Sequence, residues 1–351
     1  MTEDGLKRRP KRATMSEVAR RAGVSQATVS LVLNDTGGVR VNADTRARVR
    51  QVADEIGYHV WRRSPVGSGS IRTIGFLIDD ITSSALTTSS IEAARAAAWE
   101  NNCVLTVLPT HGESQLERAA IKLLFAQRLV GVIYGAFYTK EVSLPKQLRT
   151  ASVVLLNCFS ADPNVTSFIP RHEEGAYDMT TRLIAAGHRR IAVINGTSSM
   201  LAAVQRFEGY RRAMESAQLE IDEDLVAEGN FSLSGAQRMT ERFLMLDRPP
   251  TAIFCASDKM AIGAYEALKS AGLSLPLDMS VVGFDDDPMG QFLSPPLTTV
   301  RVPHAQMGRQ AVEFLIDKYN RAEQRVPPGK SLLACPLVER ESLVSPKGSK
   351  R

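Results

Sequence analysis

Apolar positions near the start of the chain recur at three- and four-residue spacing, the period of a helix with one buried face. Met15, Val18, Ala19 and Ala22 form one such stripe; Ala27, Val29, Val32 and Leu33 continue a second to Asn34; Val49, Val52, Ala53 and Ile56 form a third over about 43–56. Thr14-Met15-Ser16-Glu17 reads as a capping box, in which the Thr hydroxyl accepts from a backbone N–H three residues on and the Glu side chain reaches back. Gly23 tolerates the positive φ that ends a helix, Ser25 caps the next, Asn42 caps the third after a loop over 35–41, and Gly57 stops it. Two short helices joined by a tight Gly-containing turn form a helix-turn-helix. The third closes a small core around Val18, Ala22, Val29, Val32, Val49 and Ile56, too small to be very stable alone.

From Ile71 the pattern changes. Apolar runs of strand length at 74–78, 104–108, 130–134, 153–156, 191–194, 252–255 and 280–284 alternate with helical stretches near 86–101, 115–127, 173–186, 201–217, 233–246, 259–271 and 304–321. Strand and helix in alternation predict βαβ units, a parallel sheet and helices on both of its faces. The length of this region predicts two such sheets. The expected fold class is therefore an all-α helix-turn-helix headpiece followed by a two-lobed α/β domain built on two doubly wound parallel sheets. The expected domains are a headpiece at 13–58, a linker at 59–70, and a domain at 71–341. Its first lobe takes about 71–168 plus 298–328, and its second 169–297 plus 329–341.

Charge sharpens the reading of the headpiece. The net charge is +5, but residues 1–63 hold 13 Lys and Arg against 7 Asp and Glu, and the remainder holds 30 against 31. All the excess positive charge sits in the first fifth of the chain, as expected of a nucleic-acid module joined to an electrically ordinary domain. The charged stretch 1–12 has no apolar core after it and does not read as a secretory signal, and no apolar run reaches the roughly 20 residues that span a bilayer. A cytoplasmic protein with no membrane partner is expected. Cys103, Cys158, Cys255 and Cys335 lie far apart with no C-x-x-C pair, and the five histidines form no ligand-spaced cluster with them. Buried reduced thiols are expected, with no metal and no cofactor.

The second helix of a helix-turn-helix enters the major groove with its N-terminal residues facing base edges. Here those are Ser25, Gln26, Ala27 and Thr28, with Leu31 one turn on. Gln26 can pair bidentately with adenine, and Ala27 or Leu31 can touch a thymine methyl. Thr14, Ser16, Ser25, Ser30 and Asn34, with the Arg residues, are candidate phosphate contacts. The run from Met15 to Asn34, with Thr45-Arg46 and Gly57-Tyr58, resembles the DNA-binding headpiece of the lactose-repressor (LacI/GalR) family. Leu31 stands where many members carry Arg, so base preference at that contact is not inherited. The resemblance implies a hinge helix after Gly-Tyr whose Leu wedges into the minor groove. The segment 59–70 lacks that Leu and contains Pro65, Gly67 and Gly69. Val66 as a smaller wedge, Trp61 in its place, and a plain flexible linker all stay open.

In doubly wound folds ligands bind beyond the carboxyl ends of strands. Asp79-Asp80 with Thr82-Ser83-Ser84, Asn195-Gly196, Ser257-Asp258 and Asp285-Asp286 occupy such places. This half resembles the periplasmic-binding-protein-like effector domain of the same family through Gly187-His188-Arg189-Arg190, Arg206-Phe-Glu-Gly-Tyr210, Ser257-Asp-Lys-Met-Ala261, Ser280-Val-Val-Gly-Phe-Asp-Asp286 and Pro295-Pro-Leu-Thr-Thr-Val300. The resemblance implies that Arg206 and Asp285 hydrogen-bond a small-molecule effector, that Phe231 packs against its ring, and that Ser83 and Ser84 face Ser257 and Asp258 across the cleft. A sugar or related polar ring suits that set. Arg171-His172 would add positive charge at the rim and favour an anionic ligand, whereas His188 reads as a structural histidine before a strand. The resemblance implies a homodimeric, effector-controlled repressor on a pseudo-palindromic operator, and no enzyme. A partner protein in place of the small molecule stays open. A transporter's solute-binding protein would share the C-terminal fold without the headpiece, and a nucleotide-dependent enzyme would need a G-x-G-x-x-G or P-loop that is absent.

Overall fold

The computed structural model describes residues 14–34, 41–56, 71–81, 85–320 and 327–347. The N-terminal helices form one compact unit and the chain from Ile71 onward a second.

In the first unit, α1 (Met15–Ala22), α2 (Gln26–Asn34) and α3 (Ala43–Glu55) surround a core of Val18, Ala19, Ala22, Val29, Val32, Val49 and Ala53, with Ile56 partly buried against it. The Thr14 hydroxyl accepts from the Glu17 N–H at 3.3 Å, and Gly23 ends α1 at φ 66°. Half of the expected capping box is replaced. The Glu17 carboxylate turns forward onto Arg20 and Arg21 (2.9 Å to Arg21), because a guanidinium adds a full positive charge that a backbone N–H lacks. Ser25 Oγ accepts from the Thr28 N–H at 3.1 Å, and Asn42 Oδ1 from the Asp44 N–H at 3.1 Å.

The second unit runs β1 (Arg72–Ile78), α4 (Ala85–Glu100), β2 (Cys103–Pro109), α5 (Ser114–Phe125), β3 (Leu129–Glu141), β4 (Val153–Phe159) and β5 (Ser167–Pro170). It continues through α6 (His172–Ala185), β6 (Ile191–Asn195), α7 (Leu201–Ser216), β7 (Val226–Glu228), α8 (Leu233–Leu244), β8 (Ala252–Cys255), α9 (Asp258–Ser270) and β9 (Ser280–Val282). Last come β10 (Thr299–Val300), α10 (His304–Tyr319), β11 (Lys330–Leu333) and β12 (Leu337–Val338). One sheet has the order β11-β5-β4-β3-β1-β2 and another β7-β6-β8-β9, each parallel throughout, and β10 pairs antiparallel with β12. Each large sheet carries an apolar core on both faces. For the first these centre on Phe76, Ile133 and Leu315, and on Leu77, Leu124 and Leu155. For the second they centre on Ile253, Tyr265 and Val281, and on Val193, Tyr210 and Phe254.

The lobe boundaries differ from those expected. Residues 330–333 pair with β5 in the first sheet instead of joining the second lobe, and Val300 and Val302 pack in the core of the second lobe beside Cys335. The chain thus crosses between lobes after Pro170, after Val302 and after Leu333. The strands at these crossings are two to four residues long, too short to leave a readable period. Strand β3 runs on to Glu141, past its expected end at Tyr134, and its register on β4 shifts between Gly135 and Lys140. Strand β9 stops at Val282, because Gly283 N–H leaves the ladder for Thr298 O (3.0 Å). All four cysteines are buried and unpaired. Among the described residues, no helix is long and apolar enough to cross a membrane.

Candidate functional site

The N-terminal turn of α2 carries the residues expected from the sequence to face base edges. Ser25, Gln26 and Ala27 are exposed, whereas Thr28, Ser30 and Leu31 are half-buried. Gln26 Nε2 donates to Ser16 Oγ at 2.6 Å, so α1 holds the amide at the start of α2. Ser25 Oγ also lies 2.9 Å from Thr28 Oγ1. Thr14 and Ser16 are exposed at the start of α1. Asn34 closes α2, and its side chain, like Val66 and the whole 59–70 segment, lies outside the described residues.

In the second unit the two lobes enclose a cavity of about 470 Å³. Of the expected ligand residues, Arg206, Phe231, Ser257 and Asp285 line it. Ser83 and Ser84 lie outside the described residues. Asp258 is turned to other work: its carboxylate accepts from the Asp287 N–H at 2.7 Å and the Thr299 hydroxyl at 2.5 Å, so it staples the 285–287 turn from behind. Burial, reinforced by Asp285, pushes its carboxyl well above the usual range. Gly283 leaves it room, since a Cβ there would meet Asp258 Oδ1 at 2.1 Å.

Arg206, on α7, is 5% exposed, a position that demands partners for a charge. Its Nη2 lies 3.0 Å from Asp285 Oδ1 and 3.4 Å from His172 Nδ1, its Nη1 donates to Ala256 O, and its Cζ lies 3.9 Å from the centre of the Phe284 ring. Asp285 sits at φ 122° and Asp286 at φ 60°, left-handed conformations that cost non-glycine residues roughly 1–3 kcal/mol each. The strain sorts three successive carboxylates. Asp285 faces Arg206; Asp286 faces away, onto Arg301 (2.7 Å) and Arg340 (2.6 Å); Asp287 caps the 3₁₀ turn at Pro288–Phe292. Asn230 and Phe231 are also left-handed, at φ 54° and 50°, which lays the Phe231 ring over Gly196, where a Cβ would meet it at 2.0 Å. Tyr138 of the first lobe faces Phe231 with ring centres 6.4 Å apart and planes 24° from parallel.

Several lining residues were not foreseen. Phe137, Tyr138 and Thr139 follow the expected end of one strand, and Asn157 follows the expected end of the next, so the carboxyl-end rule would have found all four. His304, at the start of α10, left no comparable signal. The positive charge expected from Arg171 and His172 does not reach the cavity. Arg171 bonds Glu174 (2.9 Å) and the Leu332 carbonyl, and His172 is buried with its proton affinity held well below the usual histidine value by burial, then by Arg206 and His304. His188 is structural, with Nδ1 2.9 Å from Thr251 Oγ1 and Nε2 2.8 Å from the Val344 carbonyl.

Two cavity groups titrate with opposite sign. Burial depresses His304 from 6.5 to about 4, so between those pH values the unfolded chain binds a proton that the folded one does not, and stability rises with pH. Burial outweighs Arg206 and lifts Asp285 from 3.8 to about 6, so in that window the folded state holds the extra proton and stability falls as pH rises. His304→Gln is therefore expected to lose less stability than the parent on acidification from pH 6.5 to 4, and Asp285→Asn to lose more. Thermal unfolding midpoints across that range check both; parallel curves for parent and variants would contradict the assignment.

The sequence profile of bacterial regulatory proteins, lacI family, matches residues 14–60, and that of a periplasmic binding protein-like domain matches residues 180–343. The HTH-type transcriptional repressor PurR of Vibrio atlanticus is 32% identical over 310 residues, 87% of this chain and 92% of the relative. The HTH-type transcriptional repressor CytR of Escherichia coli is 31% identical over 335 residues, 94% of this chain and 96% of the relative. The chain belongs to the lacI family of bacterial regulatory proteins. Among solved structures, the lac repressor bound to ONPG in the repressed state matches with TM-score 0.72 and 27% identity over 95% of this chain and all of that one. A complex of the transcriptional regulator CelR with cellobiose matches with TM-score 0.66 and 27% identity over 94% and 100%. This lacI-family chain is a sequence-specific DNA-binding regulator and not an enzyme.

Proposed function

We propose that this regulator is a cytoplasmic, homodimeric repressor of a pseudo-palindromic operator, gated by a small polar ring compound, a sugar or related metabolite, bound between the lobes. The observation that carries the ligand reading is the buried Arg206–Asp285 pair beside the Phe231 ring in a cavity of about 470 Å³. A guanidinium donor, a carboxylate acceptor and an aromatic face are what a ring bearing hydroxyls requires. Large apolar side chains exposed on each lobe, Trp99 on the first and Phe292 on the second, are available for pairing with a second copy. Ligand and DNA are coupled reciprocally in this reading: whatever factor the ligand applies to operator affinity, the operator applies to ligand affinity.

Two experiments test it. Selection of bound sequences from a random DNA pool at near-physiological salt should recover a pseudo-palindrome, and thermal-shift screening of sugars and nucleosides should find a compound that changes affinity for it. No enrichment with any compound would sink the repressor reading. On the selected sites, Gln26→Ala is expected to cost about 1–3 kcal/mol of discrimination at one base pair in each half-site and so reorder their ranking. A ranking unchanged from the parent would remove Gln26 from the reading set.

A further inference from the structure

Four side chains form one continuous hydrogen-bonded line across the cavity wall, from the first lobe to the ligand-facing arginine of the second. Asn157, on β4, donates from Nδ2 to the carbonyls of Ala136 (3.0 Å) and Phe137 (2.9 Å). Both amide hydrogens are thereby used, and Oδ1 faces Thr139 Oγ1 at 2.6 Å. An amide oxygen only accepts, so the Thr139 hydroxyl spends its one proton there. Thr139 Oγ1 also lies 3.0 Å from His172 Nε2, and with its proton committed it accepts from that nitrogen. At the other side of the ring, His172 Nδ1 lies 3.4 Å from Arg206 Nη2. A guanidinium has donors and no acceptor, so Nδ1 presents a lone pair. The imidazole is thus neutral with its hydrogen on Nε2, and every bond in the line runs one way: Arg206 to His172, His172 to Thr139, Thr139 to Asn157.

The position of His172 gives this polarity a consequence. It is the first residue of α6, two residues past the end of β5, where the chain crosses from one lobe to the other. Thr139 and Asn157 belong to the first sheet, and Arg206 belongs to α7, which packs with α6 in the second lobe. A change in the spacing of the lobes therefore acts on the bonds at His172. We propose that His172 is a positioning residue that ties the Arg206 guanidinium to the first lobe, so that Arg206 and Asp285 present their ligand-binding geometry only at the lobe spacing that closes the line. The proposal rests on the reading of Arg206 as a ligand-binding group. It explains why a histidine occupies a site whose charge state is neutral: of the side chains that reach both neighbours, imidazole offers one donor and one acceptor on opposite sides of a rigid ring.

The test needs no ligand. The chain holds five histidines, so nitrogen-15 labelling of histidine alone in the full-length protein yields few signals, and His172→Asn identifies the one in question. At pH 7 His172 should show a single tautomer protonated at Nε2. Thr139→Val removes the acceptor, and the Nε2 proton should then exchange with water roughly tenfold faster or more, while Thr139→Ser keeps the parent rate. The double variant Arg206→Met with Asp285→Asn removes the donor at Nδ1 without leaving a buried charge alone, and should admit both tautomers. A parent ring protonated at Nδ1, or at both nitrogens, overturns the proposal. So does a His172 spectrum indifferent to Thr139→Val; that variant decides the matter if the double one does not fold. A spectrum as expected, combined with a ligand response that survives Arg206→Ala, would overturn the ligand reading of Arg206 and leave the line itself standing.

Discussion

Arg206→Ala is expected to abolish the ligand response, weakening it by at least about 100-fold, while the ligand-free protein still binds its operator. Charge-assisted hydrogen bonds contribute about 1.5–3 kcal/mol each, and the guanidinium supplies the cavity's buried cation. The loss extends past Arg206 itself. Asp285 keeps its place at φ 122° but loses the partner 3.0 Å away, and His172 loses the donor at Nδ1. A carboxylate stripped of its buried partner costs about 3–5 kcal/mol unless it takes up a proton, so the variant should also be less stable above pH 6. Arg206→Met with Asp285→Asn separates the two effects, since it keeps the volume and removes both charges. Gel mobility of operator DNA, with and without the compound found by thermal-shift screening, reads the response. A normal response from Arg206→Ala would place the ligand elsewhere.

Gly209→Ala should be the most damaging single methyl in the second lobe, at about 3 kcal/mol of stability. Its Cβ would lie 2.1 Å from the Glu173 carbonyl oxygen, and 2.8 Å from both Ala176 Cβ and Tyr177 N. Those neighbours are largely backbone of α6, which cannot turn aside as a long side chain can. The two helices would have to separate, and they carry His172 and Arg206 respectively, so the cavity should suffer with the fold. Gly272→Ala is the contrasting control. Gly272 sits at φ 73° with nothing within 4 Å of a Cβ, so only backbone strain of roughly 1 kcal/mol is at stake. Urea denaturation of both variants measures the difference. Equal midpoints would mean that the close approach of α6 and α7 is not what Gly209 provides.

The headpiece was legible in the sequence because its signals are local. A cap at Thr14, a left-handed Gly23 and a cap at Ser25 each act within a few residues, and a three-helix core needs only its stripes aligned. Alternating strands and helices were legible for the same reason, although β5, β7, β10, β11 and β12 were not, being two to four residues long and set by pairing with distant strands. The lining of the cavity was half legible. Arg206, Phe231, Ser257 and Asp285 came from resemblance to a family and line the cavity, whereas Asp258, next to one of them, turns to hold the 285–287 turn.

What the sequence by itself determined is the kind of protein this is: a basic helix-turn-helix ahead of a two-lobed α/β domain, with the residues of α2 and the carboxyl ends of the strands as the places to look. What only the tertiary structure decided is how those residues divide the work. Thr139, Asn157, His172 and Arg206 are 18 to 34 residues from their nearest partner in the line, and the neutral state of His172 follows from the groups on its two sides. Periodicity and capping act over one or two turns of chain. Protonation state and the choice among neighbouring carboxylates depend on which donors and acceptors meet after the lobes have packed.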